Sequence, residues 1–198
     1  MQVADICAGA AGKSLVMAAA MENRGRIVAL DTDAGRLERG GARIRRAGIH
    51  NIERVAVSGD WGTKRYRGKF DRVVIDAPCS GSGTWRRQVD VRWRTDAATM
   101  ARLHDAQASL LEKGRAMLAP GGRIVYITCS VLRSEGEAQI ERLMQDAPEL
   151  EIANIAEIWR DVIGEDAMPP VSDGMLRLLP GRDGTDGFFM AVLQSRLR

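Results

Sequence analysis

Strand-sized apolar runs alternate with helix-periodic stretches from the first residues of this chain. That alternation constrains the fold more than any other feature, because it demands a parallel sheet with helices on both faces. Gln2 to Cys7 reads as a first strand, followed by a glycine-rich turn and a helix over Gly12 to Glu22. Arg26 to Asp31 is a second strand, and the helix after it has Asp33 as N-cap and Gly48 just past its end. Ile52 to Val57 and Phe70 to Asp76 are the third and fourth strands. Between Asp96 and Leu118, Met100, Leu103, Ala106, Leu110 and Met117 recur at helical spacing until Pro120-Gly121-Gly122 stops the pattern. Arg123 to Thr128 follows as a fifth strand, and Ser134 with Glu137 suggests a capping box for a helix through Met144, its apolar face Ile140, Leu143 and Met144. After Pro148 the alternation changes. Leu150 to Ile155 reads as a sixth strand, the polar stretch Asp161 to Asp173 with Pro169-Pro170 as a loop, and Gly187 to Leu193 as a last strand. No repeat or linker divides the sequence, so residues 1–198 are expected to form one doubly wound α/β domain on a mostly parallel, seven-stranded, Rossmann-like sheet.

In an open α/β sheet, ligands bind beyond the carboxyl ends of the strands. Cys79, in Asp76-Ala-Pro-Cys-Ser-Gly-Ser-Gly-Thr84, and Cys129, in Thr128-Cys-Ser130, both stand at such ends. Two thiols beside Asp76 suggest covalent chemistry, whereas a buried small hydrophobe is the commoner fate of a free cysteine. Cys7, at the end of the first strand, fits that plainer role. Three cysteines, an odd number, argue against a disulfide framework and for a reducing compartment, so the expected location is cytoplasmic. The apolar runs fall far short of the roughly 18 residues a membrane span needs, and no signal-peptide pattern opens the chain.

The net charge of +3 is small but unevenly placed, with clusters at Arg36 to Arg46, Lys64 to Lys69 and Arg86 to Arg94. The first suits a solvated helix face; the other two flank the strand that carries Asp76. Trp85-Arg-Arg-Gln-Val-Asp-Val-Arg-Trp-Arg94 interleaves two tryptophans with four arginines, the combination that a polyanion with stackable bases requires.

The turn Asp5-Ile-Cys-Ala-Gly-Ala-Ala-Gly-Lys-Ser14 joins a strand to a helix, and its small residues let backbone approach a ligand. It nearly matches the phosphate-binding P-loop, and Arg72 to Asp76 resembles the magnesium-binding strand of such NTPases, but Cys7 occupies the first glycine position. A nucleoside cofactor is favoured by Asp31, about twenty residues past the turn, where a carboxylate can accept ribose hydroxyls. Asp33 could serve instead but is better placed as a helix cap, and Asp60 is a candidate for the adenine side or a plain polar turn residue. Only two glycines occur in the turn, so a smaller nucleoside ligand such as S-adenosylmethionine fits better than a dinucleotide.

Taken in order, Asp5-x-Cys-Ala-x-x-x-Gly-Lys13, Asp76-Ala-Pro-Cys-Ser-Gly-Ser-Gly-Thr84, Arg92-Trp93-Arg94, Thr128-Cys-Ser130 with Ser134-Glu-Gly-Glu137, and Gly184-Thr-Asp-Gly-Phe-Phe189 resemble the RNA 5-methylcytosine methyltransferases of the Fmu/Nop/Sun group. The resemblance covers almost the whole chain and is strongest to the bacterial small-subunit ribosomal RNA methyltransferase B branch. It implies the class I S-adenosylmethionine-dependent methyltransferase fold, S-adenosylmethionine as cofactor and an RNA substrate, 16S ribosomal or else transfer RNA; no metal, no membrane partner and a monomeric state are expected as well. By resemblance Cys129 is the nucleophile that adds to carbon 6 of cytosine, Asp76 holds or protonates N3, Cys79 assists proton removal from carbon 5, and Lys13 lies near cofactor and base. Cofactor contacts are expected from Cys7, Ala8, Gly9, Ala10, Ala11, Gly12, Lys13, Asp31, Arg36, Asp60, Asp76 and Pro78. Cys129 must ionise below the free thiol value of about 8.5, for which nearby cations and a helix N-terminus are the expected means. A P-loop NTPase and a non-catalytic RNA-binding module are the alternatives.

The sequence departs from the family at three places. The family turn usually reads cysteine-alanine-alanine-proline-glycine-glycine-lysine, where this chain has Cys7-Ala-Gly-Ala-Ala-Gly-Lys13. The family's asparagine-proline before the arginine-tryptophan element is here Gln88-Val89. The chain also starts almost on its first strand, so the preceding family segment and a separate RNA-binding domain are expected to be missing and RNA binding to be poor.

Overall fold

The computed structural model describes residues 1–58, 61, 63–164 and 170–197. Its elements run β1 (Gln2–Ile6), α1 (Gly12–Ala20), β2 (Arg26–Asp31), α2 (Ala34–Arg46), β3 (Ile52–Ala56), β4 (Phe70–Asp76), α3 (Val91–Arg94), α4 (Ala97–Met117), β5 (Leu118–Thr128), α5 (Glu137–Asp146), β6 (Leu150–Ile152), α6 (Ile155–Val162), β7 (Val171–Ser172), β8 (Met175–Leu178), α7 (Pro180–Asp183) and β9 (Phe188–Ser195). They build one sheet in the order β3-β2-β1-β4-β5-β9-β8-β7, with β6 pairing the remainder of β9. The first five strands are parallel, and β9 closes antiparallel on β5 with Tyr126 opposite Ala191. The sheet therefore has nine strands among the described residues, the two extra being the short β7 and β8.

Burial follows the strand period. Ala4 and Ile6 face the main core, which takes in Leu111 and Met117 of α4 and Ile140 and Leu143 of α5. Val3 and Ile27 face the other side, against Ala18 of α1. A third cluster, Ile155, Leu176 and Val192, seats α6 on the late strands. Two faces covered by helices allow the near-continuous apolar reading of β2 and β4, as a parallel sheet requires. Strand order reverses between β1 and β4, so the segments after those strands diverge and leave a crevice. Ile6 lies opposite Ile75, which puts Cys7 and Asp76 side by side at its mouth.

Several local expectations change. Pro120-Gly121-Gly122 does not separate helix from strand: β5 begins at Leu118, and a register shift between Phe70 and Arg72 absorbs the segment, with Gly121 at φ 67°. Ser134 caps nothing. A 3-10 turn over Arg133–Glu135 intervenes, Gly136 occupies the cap position of α5 without a side-chain bond, and Glu137 pairs with Arg177 of β8. The sixth strand ends at Ile152, and Asn154 caps α6 through a bond from Ala156 N–H at 3.0 Å. That helix and β8 were not anticipated because eight and four residues give little periodicity to read. Of the expected loop from Asp161 to Asp173, residues 165–169 lie outside the described residues; Val171 and Ser172 are strand.

Candidate active site at the strand crossover

The segment after β1 is a tight turn held by backbone. Ala8 N–H donates to Leu30 O at 3.0 Å and Ala11 N–H to Ala8 O at 2.8 Å. Gly9 N–H donates to Asp31 Oδ2 at 2.7 Å, and Asp33 N–H to Asp31 Oδ1 at 2.8 Å. Asp31 thus pins the turn to the end of β2, and each oxygen keeps a second lone pair for a ligand hydroxyl. Asp33 does cap α2, accepting from Arg36 N–H at 2.9 Å. Two residues other than glycine take left-handed backbone here, Cys7 at φ 64° and Ala11 at φ 59°. Ala11 stands where the family turn has its first glycine, so the substitution noted in the sequence falls on a position that favours glycine.

The turn, β2, Asp76 and both strand-end cysteines line one cavity of about 510 Å³. This lies within the roughly 300–1,000 Å³ range of small-molecule clefts. Asp5, Cys7, Gly12, Lys13, Arg36, Pro78 and Cys129 all reach it. Asp5 is fully buried and accepts from Ser14 Oγ at 2.5 Å, but its Oδ1 has no partner. Burial pushes the Asp5 carboxyl up to about 6, against the lowering effect of the Ser14 hydroxyl. An orphaned buried acceptor in this cavity suits a ligand carrying an amino group, and the Asp31 carboxylate suits one carrying vicinal hydroxyls. These donor and acceptor requirements match an amino-acid nucleoside. Lys13 Nζ sits 2.5 Å from Asp76 Oδ2 across the crevice, joining the turn to the end of β4.

The segments after β4 and β5 are laced together by side chains. Cys79 Sγ and Cys129 Sγ are 3.4 Å apart. Beneath them Glu135, fully buried, accepts from Ser80 N–H at 2.8 Å and Gln107 Nε2 at 3.1 Å on one oxygen, and from Ser80 Oγ at 2.5 Å on the other. Gln107, from α4, also donates to Pro78 O at 2.9 Å. Ser82 Oγ lies 2.9 Å from Ser130 Oγ, and Gly83 N–H donates to Cys129 O at 3.0 Å. Gly83 in turn packs on Gly187 so closely that a Cβ there would lie 2.2 Å from Gly187 O. The two thiols differ sharply. The Cys79 thiol is pushed well above the ordinary range, first by its hydrogen bond to Cys129 and then by burial. Cys129 is drawn down to about 7, chiefly by its hydrogen bond with Cys79, in which either sulfur can donate. The depression therefore comes from the neighbouring thiol, whereas the sequence suggested cations and a helix N-terminus.

Most expected site residues converge. Ala11 is buried at the base of the turn, its methyl beside Gly40 of α2, and does not line the cavity. Asp60 lies outside the described residues. Burial, first of its causes, pushes the Cys7 thiol up to about 12, which suits packing at the cavity edge more than chemistry. Asp5, Gln107 and Glu135 were missed as site residues. An aspartate inside an otherwise apolar strand was the available signal for Asp5; Gln107 and Glu135 carry none, since their partners are 28 and 55 residues away in sequence. Lys13, the lysine of the P-loop-like turn, pairs with Asp76. Among the described residues, no cluster of three potential ligands suits a metal ion, and no helix is long and apolar enough to cross a membrane.

A family model described as 16S rRNA methyltransferase RsmB/F matches residues 1–194. A probable ribosomal RNA small subunit methyltransferase B from Synechocystis is 37% identical, covering 96% of this chain and 42% of that protein. Its Bacillus subtilis counterpart is 32% identical, covering 98% and 43%. The chain thus spans about two-fifths of the length of these curated relatives. Among solved structures, PH0851 matches with a TM-score of 0.87 at 30% identity over 98% of this chain and 42% of that one. NSun6 from Pyrococcus horikoshii, solved with SFG, shares the fold with a TM-score of 0.79 at 22% identity, over 99% of this chain and 48% of that one. The fold is that of S-adenosylmethionine-dependent methyltransferases, and S-adenosylmethionine is the cofactor for which the cavity is suited. With a family model spanning residues 1–194 and relatives above 30% identity along nearly its full length, this chain belongs to the RsmB/F family of 16S rRNA methyltransferases.

Proposed function

We propose that this chain methylates carbon 5 of a cytosine in RNA, with ribosomal RNA the substrate class and Cys129 the covalent nucleophile. The observation that carries the reading is the thiol pair: two cysteines 3.4 Å apart at the cavity that also contains the Lys13–Asp76 pair. Carbon 5 of cytosine is a weak nucleophile. Addition of the Cys129 thiolate to carbon 6 makes carbon 5 enamine-like, so that one hard step becomes two easier ones. Bound in the cavity, S-adenosylmethionine supplies an electrophilic methyl group. Asp76 faces N3 of the base: as the thiolate adds, N3 takes a proton relayed from the Lys13 ammonium through Asp76, and it returns by the same route when the carbon 5–carbon 6 double bond re-forms. Cys79 first hydrogen-bonds Cys129. Once the Cys129 sulfur is bonded to carbon 6 and no longer charged, Cys79 loses its proton to water and its thiolate takes the carbon 5 proton. The electrons of that bond re-form the carbon 5–carbon 6 double bond and expel the Cys129 thiolate. The target base must leave its stack to reach these groups, and the small residues Ser80 to Gly83 leave room for it.

The test is a denaturing gel on Cys79→Ser incubated with S-adenosylmethionine and a cytosine-containing RNA. A shifted covalent band, absent from the Cys79→Ser/Cys129→Ala double variant, is expected. If RNA that the wild type methylates shows no such band, the assigned roles fail. Cys129→Ala alone is expected to reduce methyl transfer on the order of a thousandfold or more while cofactor binding persists. A non-catalytic RNA-binding module would instead show no methyl transfer in the wild type.

A further inference from the structure

Trp93 is 79% exposed, the most exposed large apolar side chain among the described residues, and the active-site chemistry makes no use of it. It sits on the one-turn helix α3 with Arg92, whose guanidinium lies 5.4 Å from the centre of its ring. Arg92 makes no ion pair among the described residues. Val89, also exposed at 64%, extends the same surface. An indole left in water loses hydrophobic stabilisation that burial would supply, and a single exposed aromatic ring among cations offers little to a protein core.

The segment that presents it is fastened to the catalytic loops. Trp85 Nε1 donates to Ser80 O at 3.2 Å, so the segment leaves directly from the Cys79 loop. Arg86 and Arg87 both pair with Asp186, the residue before Gly187, whose N–H donates to Gly83 O at 2.8 Å. At its far end Thr95 Oγ1 donates to Val91 O at 2.8 Å and Asp96 caps α4. The Arg94–Asp90 pair is exposed on both sides and weakly held, and Arg92 has no ion pair among the described residues, so these two side chains remain available to a phosphate.

Resting on the RNA reading above, we infer that Trp93 is a stacking platform for an unpaired base of the RNA strand next to the target nucleotide, with Arg92 and its neighbouring arginines holding that strand's phosphates. The ring supplies a sequence-tolerant stacking face, the arginines supply charge, and the anchoring to Ser80 and Gly187 sets the platform at a constant offset from the thiols. A strand whose flipped cytosine enters the cavity is then steadied by its neighbour, which offsets part of the cost of unstacking.

Titration of the chain with a single-stranded, cytosine-containing RNA oligonucleotide, read by tryptophan fluorescence, tests this. Of the four tryptophans only Trp93 is exposed, since Trp61 is buried and Trp85 and Trp159 are half-buried. Quenching is expected in the wild type and its loss in Trp93→Phe, which keeps most of the affinity. Trp93→Ala is expected to weaken RNA binding about tenfold. Arg92→Gln is expected to reduce the slope of log affinity against log salt by about 0.7. Calorimetric titration with S-adenosylmethionine shows whether each variant retains the cavity. If Trp93→Ala binds cofactor and RNA as the wild type does, the platform is overturned while the RNA reading stands, and a protein partner becomes the occupant to test. If the wild type binds cofactor but no RNA at any salt concentration, both readings fall.

Discussion

The turn after β1 and the pair of loops after β4 and β5 line the same cavity, yet they are held by opposite means. The turn is fastened by its own backbone and by one carboxylate, Asp31, and it tolerates two left-handed residues other than glycine. The cysteine loops are fastened by a buried side-chain network in which Glu135, Ser80, Ser82, Ser130 and Gln107 bridge three elements. The difference follows from what each must do. A cofactor that enters and leaves needs a cradle of backbone groups and open space. Two thiols that must differ in ionisation need a contact held to a fraction of an ångström, and a buried network of side-chain hydrogen bonds provides that.

The sharpest test of this contrast adds one methyl to each half. Gly83→Ala is expected to cost roughly 3 kcal/mol, because its Cβ would meet Gly187 O at 2.2 Å and force the loops apart. Gly12→Ala, whose Cβ meets open space, is expected to change stability by less than about 1 kcal/mol. Chemical denaturation of both variants measures this, and equal costs would end the comparison.

Asp5 is the exception on the turn side, since it is as buried as Glu135 and Gln107 and, like Gln107, has an unpartnered oxygen. Its carboxyl rises from 3.8 to about 6 in the fold, so stability is fully present below 3.8 and is lost as pH rises through 6. At pH 7.5 that loss is roughly 3 kcal/mol. Asp5→Asn is expected to raise stability there by up to about that amount. It should also flatten the pH 4–6 response and weaken S-adenosylmethionine binding. Unchanged cofactor affinity would show that Asp5 faces no ligand amino group.

Glu135 offers a smaller effect that separates positioning from mere structure. Its negative charge opposes ionisation of both thiols. Glu135→Gln keeps the shape and removes the charge, so the pH midpoint for alkylation of Cys129 should move below its starting value near 7. An unmoved midpoint with lowered thermal stability would leave Glu135 a structural clamp only. Smallest of all, Ala11→Gly should relieve left-handed strain at φ 59° and stabilise the chain by at most about 1 kcal/mol.

Much of the architecture was legible in the residues. The bounds of β2 and β4 agree with their apolar runs, and those of α4 come within a residue, since long periodic elements carry their own signal. The late region was less legible because α6 and β8 are short and their apolar residues make sense only against β9. The capping box at Ser134 was a local pattern without the geometry to use it: Glu137 is claimed by Arg177, 40 residues away.

By itself the sequence determined that this chain forms a parallel α/β sheet and that Asp31, Asp76, Cys79 and Cys129 stand at strand ends, because alternation of apolar runs and the position of a residue within its strand are local properties. Only the tertiary structure decided that the two thiols meet, that Glu135 and Gln107 lace the two loops, and that Asp5 has an unpartnered buried acceptor. The physical reason is that ionisation and satisfaction of a buried group depend on what surrounds it, and here the decisive neighbours are 28 to 55 residues away along the chain.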